Sequence, residues 1–185
     1  MSGGVLRVGV EAVALRAPGL ANWNEAKAAL TGAERYRASA VVLDAPALLS
    51  PAERRRAIPA VKLALAVGVE AVAQSGRDPK SLPVVFASSG ADGEAISAIL
   101  AALAAPGREV SPTRFHNSVH NAPSGYWGIA VQSQEAVTSL SAYDASFAAG
   151  LLEACVQCVS WGRPVLLIAY DLPYPEPLDS VRHVE

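Results

Sequence analysis

The chain has 185 residues, 51% hydrophobic and only 17% charged, with a formal net charge of -2 at pH 7. That length suits one well-formed core and is short for two full domains, so a single domain over residues 1–185 is expected. The apolar composition excludes a disordered chain, and the slightly acidic isoelectric point near 5.9 leaves no electrostatic footprint for nucleic acid.

The start, "MSGGVLRVGVEAVAL", lacks the basic residues and long apolar core of a signal peptide. The segment "GVLRVGVEAVALRAPG" alternates small and branched apolar residues with polar ones before Pro18 and Gly19, a strand or hairpin followed by a loop. "NWNEAKAALTG" predicts a short helix capped by Asn22 or Asn24 and ended by Gly32, and "SAVVLDAP" a short extended piece. In "LSPAERRRAIPAVKLALAVGVEAVAQSG", Ser50 is the cap, Pro51 takes the first helical position and Glu53 closes a capping box. Pro59 ends or kinks that piece, and Ala60 to Gln74 continue as an almost wholly apolar buried helix closed by Gly76. The basic cluster Arg54, Arg55 and Arg56 reads as the solvated face of a first helical turn.

"LPVVFASSG" predicts a buried strand, "SSGADG" a small-residue turn and "EAISAILAALAA" a helix. After a Pro-flanked loop, "VSPTRF", comes "FHNSVHNAPSGYWGIA", then a strand in "AVTSLSA", a long helix in "YDASFAAGLLEACVQCVSWG" and a buried strand in "RPVLLIAYDLP". The Pro-rich tail "YPEPLDSVRHVE" reads as an extended surface segment. The recurrence of strand, tight turn, helix and strand argues for a layered α/β fold. The longest apolar stretches are broken by Lys62, Glu70 or Glu153 and fall short of a bilayer span, so a soluble cytoplasmic protein is the simplest expectation.

Several residues invite a chemical reading. His116 and His120 are spaced to share one helix face, but Asn117 stands where the zinc-hydrolase pattern needs glutamate, and His183 in the tail is the only other histidine. No metal is therefore expected, and the histidines read as hydrogen-bonding groups of a loop or interface. Cys155 and Cys158 form a C-x-x-C inside an apolar helix, where they read as buried core thiols, since a redox pair starts at a helix N-terminus. "SSGADG" has neither the dinucleotide nor the P-loop glycine pattern, although backbone amides at such a turn are able to cradle an anion. Ser141 lies where a strand hands over to a helix, but no G-x-S-x-G elbow surrounds it; capping by Ser141 or Asp144 is the plainer account.

Together, "VEAVALRAPGLANW", "PAERRRAIPAVKLAL", "VVFASSGADGEAI", "SPTRFHNSVHNAPSGYWGIA", "SLSAYDASFAAGLLEA" and "VLLIAYDLPYPEPL" resemble the N-terminal half of a β-ketoacyl synthase. The resemblance is closest to the small synthase-like N-terminal domain proteins and chain-length factors found beside true ketosynthases in aryl polyene and related type II pathways. It implies a thiolase-like α/β fold, layered with buried helices and a mixed sheet. It also implies that the family's nucleophilic cysteine is absent, its place taken by Ser141 or, in a register shifted by two, Tyr143. The two catalytic histidines of ketosynthases belong to the fold's C-terminal half, so His116 and His120 do not carry over as those residues.

The resemblance thus implies a non-catalytic, chain-length-factor-like partner that pairs as a heterodimer with a full-length ketosynthase in polyketide, aryl polyene or fatty acid biosynthesis. An acyl carrier protein would be reached through the complex, and no cofactor is expected. Phe115, His116, His120, Tyr126, Trp127 and Ala142 are the expected tunnel-end and interface residues, beside Ser141 and Tyr143. The competing readings are a small acyl hydrolase or acyltransferase using Ser141 with His116 or His120 as base, and a purely structural scaffold subunit.

Overall fold

The computed structural model describes residues 5–44 and 47–180. Seven α-helices and three strands follow one another among these residues: α1 (Trp23–Leu30), α2 (Pro51–Arg56), α3 (Pro59–Ser75), β1 (Val84–Ala87), α4 (Gly93–Ala104), α5 (Pro112–Asn117), α6 (Ala122–Val131), β2 (Val137–Leu140), α7 (Ser146–Trp161) and β3 (Leu166–Ala169).

Local chemistry explains most boundaries. Asn22 Oδ1 accepts from Glu25 N at 3.0 Å to start α1, and the Glu25 carboxylate reaches back to Ala21 N at 2.9 Å. Ser50 Oγ accepts from Glu53 N at 3.3 Å to start α2, while the Glu53 carboxylate turns to Arg56. Gly76 ends α3 in the left-handed region that glycine tolerates, φ 68°. The segment expected to be a Pro-flanked loop is instead α5. Ser111 Oγ caps it toward Arg114 N and Pro112 takes its first position, the same Ser-Pro device that starts α2.

Two other expectations change. Residues 5–16 and 39–44 form no regular strand. The first of these is tied down by side chains instead: Arg77 clasps Glu11 at 2.6 and 2.9 Å, and Arg16 meets Glu70 at 2.5 Å. Nor is the sheet mixed among the described residues. Its order is β2-β1-β3 and every pairing is parallel, with Val84 opposite Val137 on one side and Leu166 on the other. Central β1 is buried along its whole length, as a strand covered on both faces must be.

The period of two then sorts the side chains. Val84, Phe86 and Ile168 join the main core with Val61, Leu65, Tyr126 and Trp127 from α3 and α6. Ala87 and Leu167 point the other way, against α7. Two glycines allow these layers their close approach. A Cβ on Gly68 of α3 would come within 2.7 Å of both Ile168 Cδ1 and Trp127 Cζ3, and one on Gly150 of α7 within 2.6 Å of Ala87 Cβ. The result is three layers: α3 with α6, the sheet, and α7.

The layers are covered unequally. On α7, Phe147, Leu151, Leu152, Val156, Val159 and Trp161 are exposed. Cys155 and Cys158 are accordingly half-buried, not the fully buried core thiols expected, because no element among the described residues covers the outer side of their helix. No helix among the described residues is long and apolar enough to cross a membrane.

Candidate functional site

Because the strands are parallel, their carboxyl ends open at one edge, where ligands of open α/β sheets bind. β1 runs into Ser88, Ser89 and Gly90, β2 into Ser141, Ala142 and Tyr143, and β3 into Tyr170 and Asp171. Hydrogen bonds join the three ends. Asp171 Oδ1 accepts from Ser88 Oγ at 3.0 Å, Ser89 N at 2.8 Å, Ser89 Oγ at 2.8 Å and Gly90 N at 3.3 Å. Ser88 Oγ also accepts from Ala91 N at 2.8 Å, closing the turn. The anion that this turn's amides cradle is thus the chain's own carboxylate, and Tyr174 lies against Gly90 and Gly93 beside it.

The turn's carbonyls hold the suggestive side chains. His120 Nε2 lies 3.1 Å from Ser88 O. A carbonyl only accepts, so this nitrogen carries the proton. Ser141 Oγ donates to Ser89 O at 3.1 Å. Serine and histidine are brought to neighbouring carbonyls, but among the described residues no hydrogen bond joins Ser141 to His116 or His120.

The strand-to-helix junction has a strained centre. Tyr143 takes a left-handed backbone, φ 54°, which a bulky residue adopts only when its surroundings impose it. Ser146 braces it here: its Oγ donates to Tyr143 O at 2.6 Å and accepts from Ala142 N at 2.9 Å. Ala142 and Tyr143 are both exposed.

The expected tunnel residues fall into two groups. Phe115, 68% exposed, and His116 stand at the surface on α5, while Tyr126 and Trp127, at 3% and 1%, are packed into the core from α6. His116 and His120 do not share a helix, because α5 ends at Asn117 and a turn intervenes before α6. Buried Asn117 anchors α5 by donating through Nδ2 to Arg56 O at 3.1 Å and Thr113 O at 3.0 Å. Burial, with the Glu53 carboxylate nearby, raises the Tyr126 phenol above its ordinary range. Burial likewise pushes Tyr170 up to about 12, Asp171 adding to the shift and Ser88 opposing it. Among the described residues no three His, Cys, Asp or Glu side chains gather as a metal would need; His183 lies outside them.

Ser88 belongs to the "SSGADG" turn weighed in the sequence as an anion cradle, but Asp171, the carboxylate it holds, and Ser146 carry no such motif. The available signal was "YD" and "SSG" at the carboxyl ends of two predicted strands, since parallel strands bring such ends together.

Set beside known proteins, residues 21–184 match the family described as Beta-ketoacyl synthase, N-terminal domain. The chain belongs to that family. Its place in the β-ketoacyl synthase N-terminal family agrees with the solved structures it is similar to. One is a ketosynthase (ApeO) in complex with its chain length factor (ApeC) from Xenorhabdus doucetiae, with 26% identity and a TM-score of 0.72 over 90% of this chain and 68% of that one. Another, a β-ketoacyl synthase from Burkholderia phymatum, shares the fold at 16% identity, TM-score 0.70, over 96% of this chain. The chain spans only 49% of that synthase. No curated protein matches.

Proposed function

We propose that this β-ketoacyl synthase N-terminal domain is a non-catalytic, chain-length-factor-like partner of a complete ketosynthase in polyketide, aryl polyene or fatty acid biosynthesis. One observation carries the reading. The junction between β2 and α7, where the family's nucleophile is expected, holds Tyr143 in the strained left-handed position, with Ser141 already bonded to Ser89 O. A nucleophile at a strand-to-helix junction typically sits on a sharp, strained turn, so of the two registers the strain favours Tyr143 as the residue in the cysteine's place. A phenol lacks the thiolate's nucleophilicity near neutral pH, so an acyl chain would not be taken from its carrier protein here. The chain's own cysteines lie more than two turns into α7.

Support for a ketosynthase partner comes from the similarity to the Xenorhabdus doucetiae ketosynthase–chain length factor complex and from the exposed apolar side chains of α7. Apolar side chains held in water mark a protein–protein surface. In the pair, the synthase condenses and this chain supplies wall. Phe115, His116, His120, Ala142 and Tyr143 are the wall side chains, and Tyr126 and Trp127 hold α6 behind them. A bulky ring at the end of a tunnel stops elongation because a further methylene would overpack it.

The test is reconstitution with a full-length ketosynthase, reading product length by mass spectrometry. The chain alone should show no condensation and no thioester hydrolysis, and Phe115→Ala in the pair should lengthen the product. Identical product lengths with wild type, with Phe115→Ala and without the chain would leave only the scaffold reading. Thioester hydrolysis by the chain alone, abolished in Ser141→Ala, would establish the enzyme reading instead.

A further inference from the structure

The most heavily hydrogen-bonded group at the strand ends is Asp171. Its Oδ1 accepts from two backbone amides and two hydroxyls of the Ser88–Gly90 turn. A carboxylate in a concavity of backbone N–H groups behaves as a bound anion, and its hydrogen bonds are of the strong, charge-assisted kind. The start of α4 does not need it, because Asp92 caps that helix by accepting from Ala95 N at 2.9 Å. What Asp171 does fix is the direction of the turn's carbonyls: Ser88 O holds His120, from the segment before α6, and Ser89 O holds Ser141, from the end of β2.

We infer that Asp171 is a positioning residue. It sets the Ser88–Gly90 turn and, through that turn's carbonyls, the places of His120 and Ser141 in the wall; the consequence for product length rests on the proposed function, while the positioning itself does not. One carboxylate oxygen couples the three strand ends, so removing it should release side chains that Asp171 never touches.

The experiment is Asp171→Ala in the full chain, followed by hydrogen exchange and by NMR of the His120 ring. Amides at 89–91 should exchange roughly ten- to a hundredfold faster, the effect of losing a hydrogen bond to a charged group. The hydrogen-bonded His120 Nε2–H signal should be lost, the junction at 141–143 should loosen, and the amides inside α3 should keep their rates. Sodium formate should restore protection by refilling the nest, which a general loss of stability would not allow. Asp171→Asn, which keeps an acceptor oxygen without the charge, should fall between and serves if the alanine variant does not fold.

Faster exchange confined to 89–91 with His120 and 141–143 unmoved, uniform acceleration across the chain, or no response to formate would each overturn the inference. In the reconstituted pair, unchanged product length in both Asp171→Ala and Phe115→Ala would count against the wall reading and leave the exchange result to decide the positioning role.

Discussion

The two faces of the sheet are built to different standards. Against one face, α3 and α6 bury Val61, Leu65, Tyr126 and Trp127 beside Val84, Phe86 and Ile168, and the side chains form one closed core. Against the other, α7 seats Gly150 on Ala87 but leaves Phe147, Leu152 and Val159 in the open. All three helices are rich in apolar residues, and the difference lies in what packs over them. The first face is closed by packing within the chain, while the helix on the second keeps an apolar outer side that no element among the described residues covers.

Substitutions that separate folding from association will sharpen this contrast. The largest loss is expected at Trp127→Ala, which opens a cavity in the closed core and should cost about 3–5 kcal/mol in denaturant unfolding. A loss under about 1 kcal/mol would mean that the core is looser than its burial indicates.

Tyr170 comes next, at the end of β3. Its phenol is raised from the unfolded value of 10 to about 12. The folded state therefore holds its proton more tightly, so its stability is intact below pH 10 and falls as pH rises toward 12. That span amounts to about 2–3 kcal/mol. Tyr170→Phe should flatten this part of the stability–pH curve, and an unchanged slope would place the alkaline loss elsewhere.

Gly150→Ala tests the seating of α7. The added methyl meets Ala87 Cβ and should cost about 1–3 kcal/mol through overpacking, with β1 and α7 forced apart. The smallest effect belongs to the open face. Leu152→Ser and Val159→Ser should each change the stability of the isolated chain by about 0.5 kcal/mol or less, yet weaken co-purification with a ketosynthase partner. Strong destabilisation of the isolated chain by either change would break the comparison, because it would make the outer side of α7 part of the chain's own core.

Much of the fold was legible because its signals are local. Ser50–Pro51 before α2, Asn22 before α1, Gly76 after α3 and the apolar run of β1 each satisfy or disrupt backbone groups within a few residues. The same chemistry in Ser111–Pro112 starts α5, but that helix is too short to show an apolar period, so its sequence reads as a loop. The apolar alternation of residues 5–16 read as a strand for the opposite reason. Alternation reports an extended backbone, but a strand also needs a neighbour, and no other segment pairs with this one among the described residues.

The candidate site was legible only in pieces. Phe115, His116, His120 and Ser141 stood out by residue type, but type does not tell an exposed Phe115 from a buried Trp127 in one sixteen-residue stretch. Nor does it show that His120 and Ser141 spend their hydrogen bonds on neighbouring carbonyls. Asp171 carries no local signal, because the four groups that donate to it lie 81 to 83 positions away.

By itself, then, the sequence determined α1 to α4, α7, the three strands, the layered α/β class and the lack of a cysteine at the β2–α7 junction, all of which depend on near neighbours or on identity alone; α5 and α6 it did not show. Tertiary structure decided which helix face stays open, which aromatic rings became core, and that Asp171 ties three strand ends together. Those outcomes depend on the order β2-β1-β3, in which parallel pairing sets side by side residues that the chain keeps far apart.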